Sequence, residues 1–447
     1  MARTLTFDVL VLGGGAAGCA LAGRFSENPD RSVGLVEAGP DYGPYADGRW
    51  PEDVLDARWL ALDSHCWARD DEDDRSQLRA RILGGCSAHN ACAVLRGAPV
   101  DYDWGEGWTY DELEPYLDRA ERRLLAHVTA DEELSPWHRA FRDAAPDDAI
   151  VYPVNTVENV RWNAAFAYVD PARNRPNLTI VADTLVDRVL IEDGRAIGAS
   201  ADGRELHAGT VVVSASSYGS PGILLRSGIG LADELARHGI PLIADLPVGE
   251  QLADHVGTGA TFEPTPDLAR ALEEHAAKHG FYMAQLAVTG RSRLCVEGLH
   301  DLFVFPALDR DGETSAAAFA MQPLSRGSVR LTSKDPHAPL VIDHGFLRDE
   351  RDAEMLTDAF ELLRYLASGQ ELRPGAEADA GEHARATARG FFHPVATCAI
   401  GTVVDGECRV LGFENLHVVD ASVMPKLPRV PVHLSTLAVA ERMAERL

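Results

Sequence analysis

The chain has 447 residues, 46% hydrophobic and 25% charged, which is the composition of a globular protein with room for two or three domains, or two interleaved ones. A formal net charge of −27 argues against nucleic acid as a partner, because phosphates need a basic surface. No apolar run approaches the ~20 residues of a membrane helix, so no membrane contact is expected. The opening MARTLTFDVLVLGGG shows no small-residue cleavage site, and a cytoplasmic location is the expectation.

Seven cysteines, Cys19, Cys66, Cys86, Cys92, Cys295, Cys398 and Cys408, occur in no CxxC spacing. An odd count in a large chain points to free thiols and to no metal site. The acidic run Asp70–Asp74 reads as a solvated loop.

Phe7 to Leu12 is an apolar run of strand length, followed by Gly13-x-Gly15-x-x-Gly18 and a helix-forming stretch, AAGCALAGRF. SVGLVEAG then reads as the next strand and places Glu37 19 residues after Gly18. Strand, glycine loop, helix, strand and acid in this order make a dinucleotide site. Gly13 permits the turn, Gly15 lets backbone approach a pyrophosphate, and Gly18 lets helix and strand pack. The pyrophosphate sits at the positive end of the helix. Glu37 accepts the ribose hydroxyls.

RILGGCSAHNACAVLRG, residues 81–97, is a second small-residue loop that carries one histidine, His89. Further on, YDELEPYLDRAERRLL (110–125) has helical periodicity, with Thr109 and Glu112 as a capping box. Residues 177–216 alternate in strand fashion, with turn signals at Asp193-Gly194 and Asp202-Gly203. Amphipathic helices are expected over 352–368 and 434–447. Two histidines near the end, His393 before Pro394 and His433 40 residues on, stand out from the sixteen in the chain only by their flanking residues.

Five stretches carry a family resemblance. RARILGGCSAHN…LRGAPVDYDWGEGW (79–108), SSYGSPGILLRSGIG (216–230), the stretch 321–352, HPVATCAIG (393–401) and NLHVVDASVMPKLP (415–428) resemble, in order, the signatures of the GMC (glucose–methanol–choline) oxidoreductases. The resemblance implies an α/β fold with a discontinuous, Rossmann-like FAD-binding domain over 1–110, 165–255 and 390–447. A substrate-binding domain over 111–164 and 256–389 would be built on an antiparallel sheet flanked by helices. The chain is shorter than many family members, and the loss falls between about 256 and 320.

The implied activity is FAD-dependent oxidation of an alcohol to an aldehyde or ketone. His393 matches the catalytic base position, and His433 falls where the family carries His or Asn. A neutral imidazole takes the hydroxyl proton while hydride goes to flavin N5, and a second donor steadies the developing charge. Which imidazole carries the proton is open at this level. Phe391 and Phe392 are either pocket wall or strand core.

Most family members have an aliphatic residue at the position of His89; choline oxidase, whose loop GGCSAHNAC resembles, has a histidine bonded to the flavin 8α-methyl carbon. The resemblance therefore implies covalent FAD through His89. It also places Gly85, Ser87 and Asn90 along the flavin and pyrophosphate, the backbone of Val186 at the adenine, and Asp420 and Ala421 at the ribityl chain and pyrophosphate. The start of the last helix would face the flavin pyrimidine edge. The partners implied are a small-molecule alcohol and an acceptor drawn from oxygen, a quinone or a redox carrier, in a monomer or homodimer. A cationic alcohol would need a carboxylate, for which Glu263, Glu273 and Glu274 lie in the right broad region. Two other readings are a hydroxynitrile lyase on the same fold and a non-catalytic flavin protein.

Overall fold

A computed structural model describes residues 5–67, 77–280, 282–283, 285–373, 376 and 379–447. The acidic run Asp70–Asp74 lies outside the described residues.

The first sheet grows from the N-terminal strand Leu5–Leu12, flanked in parallel by Val33–Val36 and Arg204–Val213. Leu178–Val181 extends it in parallel on one side. On the other side, the long strand Arg204–Val213 divides its free edge. Its first half pairs antiparallel with Arg195–Ala201, and Val211–Val213 pair in parallel with Leu416–Val418. Val186–Glu192 completes a meander whose turns fall at the expected Asp193-Gly194 and Asp202-Gly203, all four residues with positive φ. The expected strand through residue 216 ends instead at Val213, and a helix, Ser216–Arg226, begins there.

The second sheet is antiparallel, in the order Glu371–Leu372, Val256–Glu263, Thr314–Ala320, Leu302–Leu308, Leu286–Gly290, Ala149–Val151, with Arg389–Gly390 also on Val256–Glu263. Helix Glu350–Leu366 covers one face, burying Ala359, Phe360 and Leu363 with Val304, Ala316 and Ala318. Asp349 caps this helix by accepting the Arg351 N–H, so it starts two residues before the apolar pattern does. The opposite face carries Phe303, Phe305, Phe319 and Ala317. The alternation of strand side chains produces these two faces.

Helix Tyr110–Arg123 has its capping box: Glu112 Oε2 accepts the Thr109 N–H at 3.1 Å and its hydroxyl at 2.7 Å. Although it follows the predicted boundary at 110, its Leu113, Leu117 and Ala120 are buried in the first core with Leu437 and Val439 of the last helix, His433–Arg446. The reason is amphipathic: the helix needs an apolar partner, and the last helix supplies one. Among the described residues, no helix is long and apolar enough to cross a membrane.

Gly18 and Gly15 differ in what a side chain would meet. A Cβ on Gly18 would lie 1.8 Å from the Gly13 carbonyl oxygen, whereas one on Gly15 meets nothing within 4 Å. Gly18→Ala is expected to lower the melting temperature, since backbone must shift at a cost of about 1–3 kcal/mol. Gly15→Ala, at an ordinary φ of −71°, leaves the melting temperature of the flavin-free protein unchanged. Equal melting temperatures for the two variants would refute this account of the turn.

Candidate active site

The two glycine loops touch. The Gly84 N–H donates to the Gly14 carbonyl at 2.7 Å, and a Cβ on Gly85 would come within 2.6 Å of Gly15 Cα. Gly84 and Gly85 have φ of +96° and +54°, which favours glycine at both. Helix Ala16–Phe25 starts at Gly15 with no side chain capping it, so its first N–H groups lack a capping partner, and a Cβ on Gly15 would enter open space. Glu37 ends the adjacent strand, buried, its carboxylate accepting the Gly14 and Gly39 N–H groups at 2.8 Å each. Burial pushes its pKa up to about 7. The Thr184 N–H donates to the Glu37 carbonyl, and Val186, two residues on, opens its strand as a buried residue.

In the second loop the Ser87 hydroxyl is engaged by protein, donating to the Gly84 carbonyl at 2.6 Å and accepting the Ala164 N–H at 3.0 Å. His89 follows the one-turn helix Gly85–Ala88 and is only 3% exposed. Its Nδ1 lies 3.8 Å from Cys66 Sγ, and its buried Nε2 has no partner. Burial, then the Arg161 charge, lowers its pKa to about 4. Arg161 is itself fixed by the carbonyls of Val54, Asp56 and Trp59. Asn90 Oδ1 accepts the Cys92 N–H at 3.1 Å, which turns Nδ2 toward His433 Nδ1 at 3.4 Å.

His393 sits in a distorted stretch: Phe392 and Ala396 both have positive φ, +63° and +71°. Such backbone costs of order 1–3 kcal/mol per residue and persists only where the surroundings impose it. Here Ala253 and Val395 exchange two backbone hydrogen bonds, and Val256 pairs with Gly390. Between those pairings, Asp254 Oδ1 accepts the His393 N–H at 3.0 Å, and His255 Nδ1 lies 3.1 Å from His393 Nδ1. His255 Nε2 is 2.9 Å from the Pro428 carbonyl. Burial lowers the pKa of His255 to about 4 and that of His393 well below its ordinary value, with His255, Arg79 and His433 adding to the effect on His393. Burial raises Asp254 to about 7.

His433 begins the last helix, which no side chain caps. Burial lowers its pKa to about 4, and its Nε2 is buried without a partner. Asp420 stands apart from these imidazoles. Its oxygens accept the Ser216 N–H, the Ser220 hydroxyl, and the Ser422 N–H and hydroxyl, pinning the helix Ser216–Arg226 to the turn at Ala421–Val423. Ala421 follows it, half-buried.

Phe391 packs against the core and beside the candidate base: it stacks on Phe319 at 3.7 Å between centroids and lies 4.4 Å from the His393 ring. The three candidate carboxylates are elsewhere. Glu263 pairs with Arg373 at the far end of the strand that follows His255, about 26 Å away along its length, and Glu273 and Glu274 are exposed on helix Pro266–His279. Sequence reasoning missed His255 and Asp254. The available signal was an Asp-His pair at the point where the chain leaves the first sheet for the second.

The residues present fit FAD. An open cradle over Gly15, an uncapped helix start beside it, and the partnerless Nε2 atoms of His89 and His433 are what a dinucleotide with a reactive ring system would meet.

The GMC oxidoreductase family matches residues 7–257 and, in its C-terminal part, 323–440. An oxygen-dependent choline dehydrogenase of Escherichia coli (strain K12) is 29% identical over 539 aligned positions, covering 99% of this chain and 96% of that protein. Pyridoxine 4-oxidase from Mesorbium loti superposes with a TM-score of 0.84 at 28% identity, covering 98% of this chain and 99% of that one. A formate oxidase variant from Aspergillus oryzae RIB40 shares the fold, with a TM-score of 0.85 at 22% identity over 100% and 98% of the chains. The chain belongs to the GMC oxidoreductase family, FAD-dependent enzymes acting on CH–OH groups.

Proposed function

We propose that this chain oxidises an alcohol to an aldehyde or ketone with His393 as the base, His433 holding the substrate oxygen, and FAD attached through His89. The observation that carries the reading is a pair of buried imidazoles, His393 and His433, near enough for one to lower the pKa of the other, with His433 joined through Asn90 to the loop that bears His89. Bound FAD supplies the two-electron acceptor. Gly13, Gly15, Gly18, Glu37, Gly85 and Asn90 would hold it, with Val186 on the adenine side and Ser87, Asp420 and Ala421 shaping the backbone around it. His393 takes the hydroxyl proton, because an alkoxide gives up hydride far more readily than an alcohol. His433 donates to the oxygen and offsets its charge. The phenylalanine stack keeps water away from the transfer. The acceptor is oxygen, a quinone or a redox carrier, and seven free thiols suit a cytoplasmic location.

A depressed imidazole pKa means that His393 stays neutral, and so able to accept a proton, well below pH 6.5. Protonation switches the base off only as pH falls through that lowered value. The acid limb of kcat/KM for anaerobic flavin reduction is therefore expected below pH 6.5, and His393→Ala should slow reduction by about 10²- to 10⁴-fold. An acid limb at or above 6.5, or an unimpaired variant, removes His393 from the mechanism.

For His89, the expected result is that acid precipitation leaves the yellow colour in the pellet, and that His89→Ala releases it to the supernatant. A colourless wild-type pellet retires the bond. A neutral ring whose Nε2 is free of protein partners is the kind of nucleophile such a bond needs.

The aromatic wall beside His393 suits an alcohol with an apolar or aromatic body, and the distance of Glu263 from it removes a carboxylate that would pair with a quaternary ammonium group. Benzyl-type alcohols should exceed choline in kcat/KM by at least about tenfold, roughly the 1.4 kcal/mol of a single apolar contact. Preference for choline would reverse the assignment.

A further inference from the structure

We infer that His255 is a positioning residue that fixes the tautomer of His393 with its Nε2 unprotonated, while Asn90 sets the opposite tautomer on His433. This rests on the reading of His393 as the base.

The hydrogen-bond chain leaves one arrangement. A carbonyl only accepts, so the 2.9 Å contact with the Pro428 oxygen puts the proton of His255 on Nε2. His255 is fully buried and neutral at pH 7, so its Nδ1 is a lone pair. The 3.1 Å contact between the two Nδ1 atoms then requires His393 to donate. A neutral imidazole has one N–H, and His393 has placed it on Nδ1. Its Nε2 is the free lone pair.

At His433 the logic inverts. Asn90 Oδ1 accepts the Cys92 N–H, so the amide NH2 is the group that faces His433 Nδ1. That nitrogen accepts, and the proton of neutral His433 lies on its buried, unpartnered Nε2. One ring thus presents a proton acceptor and the other a hydrogen-bond donor.

The proton balance is simple. The hydroxyl proton moves to His393 Nε2, and the Nδ1 proton stays in its bond to His255 Nδ1. The His255 Nε2 proton stays on that nitrogen, donated to the Pro428 carbonyl. No heavy atom moves, and the new positive charge meets an aligned row of dipoles. Asp254 completes the clamp by accepting the His393 backbone N–H, so one dipeptide, Asp254-His255, holds both the main chain and the ring of the base.

Two variants and one spectrum test this. His255→Leu removes the acceptor; His255→Asn keeps one near the Nδ1 position. Holding a catalytic imidazole in the right tautomer is worth up to about 10⁴-fold in rate. In the flavin-loaded enzyme, His255→Leu should slow anaerobic reduction by about 10²- to 10⁴-fold with little change in substrate affinity, and His255→Asn should recover to within about tenfold of wild type. In histidine-labelled protein, 15N shifts of His393, assigned by their loss in His393→Gln, should show a pyrrole-type Nδ1 and a pyridine-type Nε2. Should His255→Leu fail to fold, the wild-type spectrum and His255→Asn still decide. A pyrrole-type Nε2 on His393, or reduction by His255→Leu within about threefold of wild type, overturns the assignment. If His393→Gln itself reduces flavin normally, the base reading has failed; if His393→Gln is inactive while His255→Leu is not, only the positioning role has.

Discussion

The site depends on one pairing of backbone. Ala253–Gly257 runs antiparallel to residues 389–395, with hydrogen bonds between Ala253 and Val395 and pairing of Val256 with Gly390. This is where the chain passes from the nucleotide-binding sheet to the antiparallel sheet, and where it returns. Because both crossings share one ladder, His393 and the dipeptide Asp254-His255 are held at the seam between the two sheets. The left-handed backbone at Phe392 and Ala396 is tolerable only because that ladder grips both sides of it. Strain at this point sets the direction in which the His393 ring emerges.

Burial does the electrostatic work. His89, His255 and His433 have their pKa values lowered to about 4, and His393 lies well below its ordinary value, in each case chiefly through loss of water. Desolvation of an imidazole favours the uncharged ring, which can accept a proton or attack a carbon. The same loss of water raises Glu37 and Asp254 to about 7. The pocket therefore carries few fixed charges of its own, and the charges that develop in the reaction are the ones its dipoles answer. Neutral rings keep their hydrogen-bond directionality, so their tautomers matter.

The nucleotide-binding half was legible because its requirements are local. A glycine at Gly18 is forced by the Gly13 carbonyl five residues away, and Gly15 faces open space, and both belong to one short motif. The meander turns at Asp193-Gly194 and Asp202-Gly203 and the capping box at Thr109 and Glu112 are local in the same way. The second sheet was less legible. Residues 258–322 lie between the two family matches, and among the described residues they hold three of its strands whole and most of a fourth. His255 was missed for a different reason: its contacts are with Pro428 and His393, more than a hundred residues away, and the adjacent Asp254 marks the spot without naming those partners. Helix Tyr110–Arg123 shows the same limit, since its apolar face is readable but the identity of its partner is not.

The bond between Asn90 and His433 joins what would otherwise be independent parts. Asn90 is adjacent to His89 on the second glycine loop, and His433 opens the last helix. A displacement of that loop, by a side chain on Gly85 or by loss of the His89 anchor, would be felt at His433 through one hydrogen bond and at the helix start behind it. Covalent attachment would then do more than retain the cofactor. By fixing His89 it would fix Asn90, and by fixing Asn90 it would hold the donor ring opposite the base. Retention of FAD and orientation of the substrate oxygen would then be two consequences of a single anchored loop.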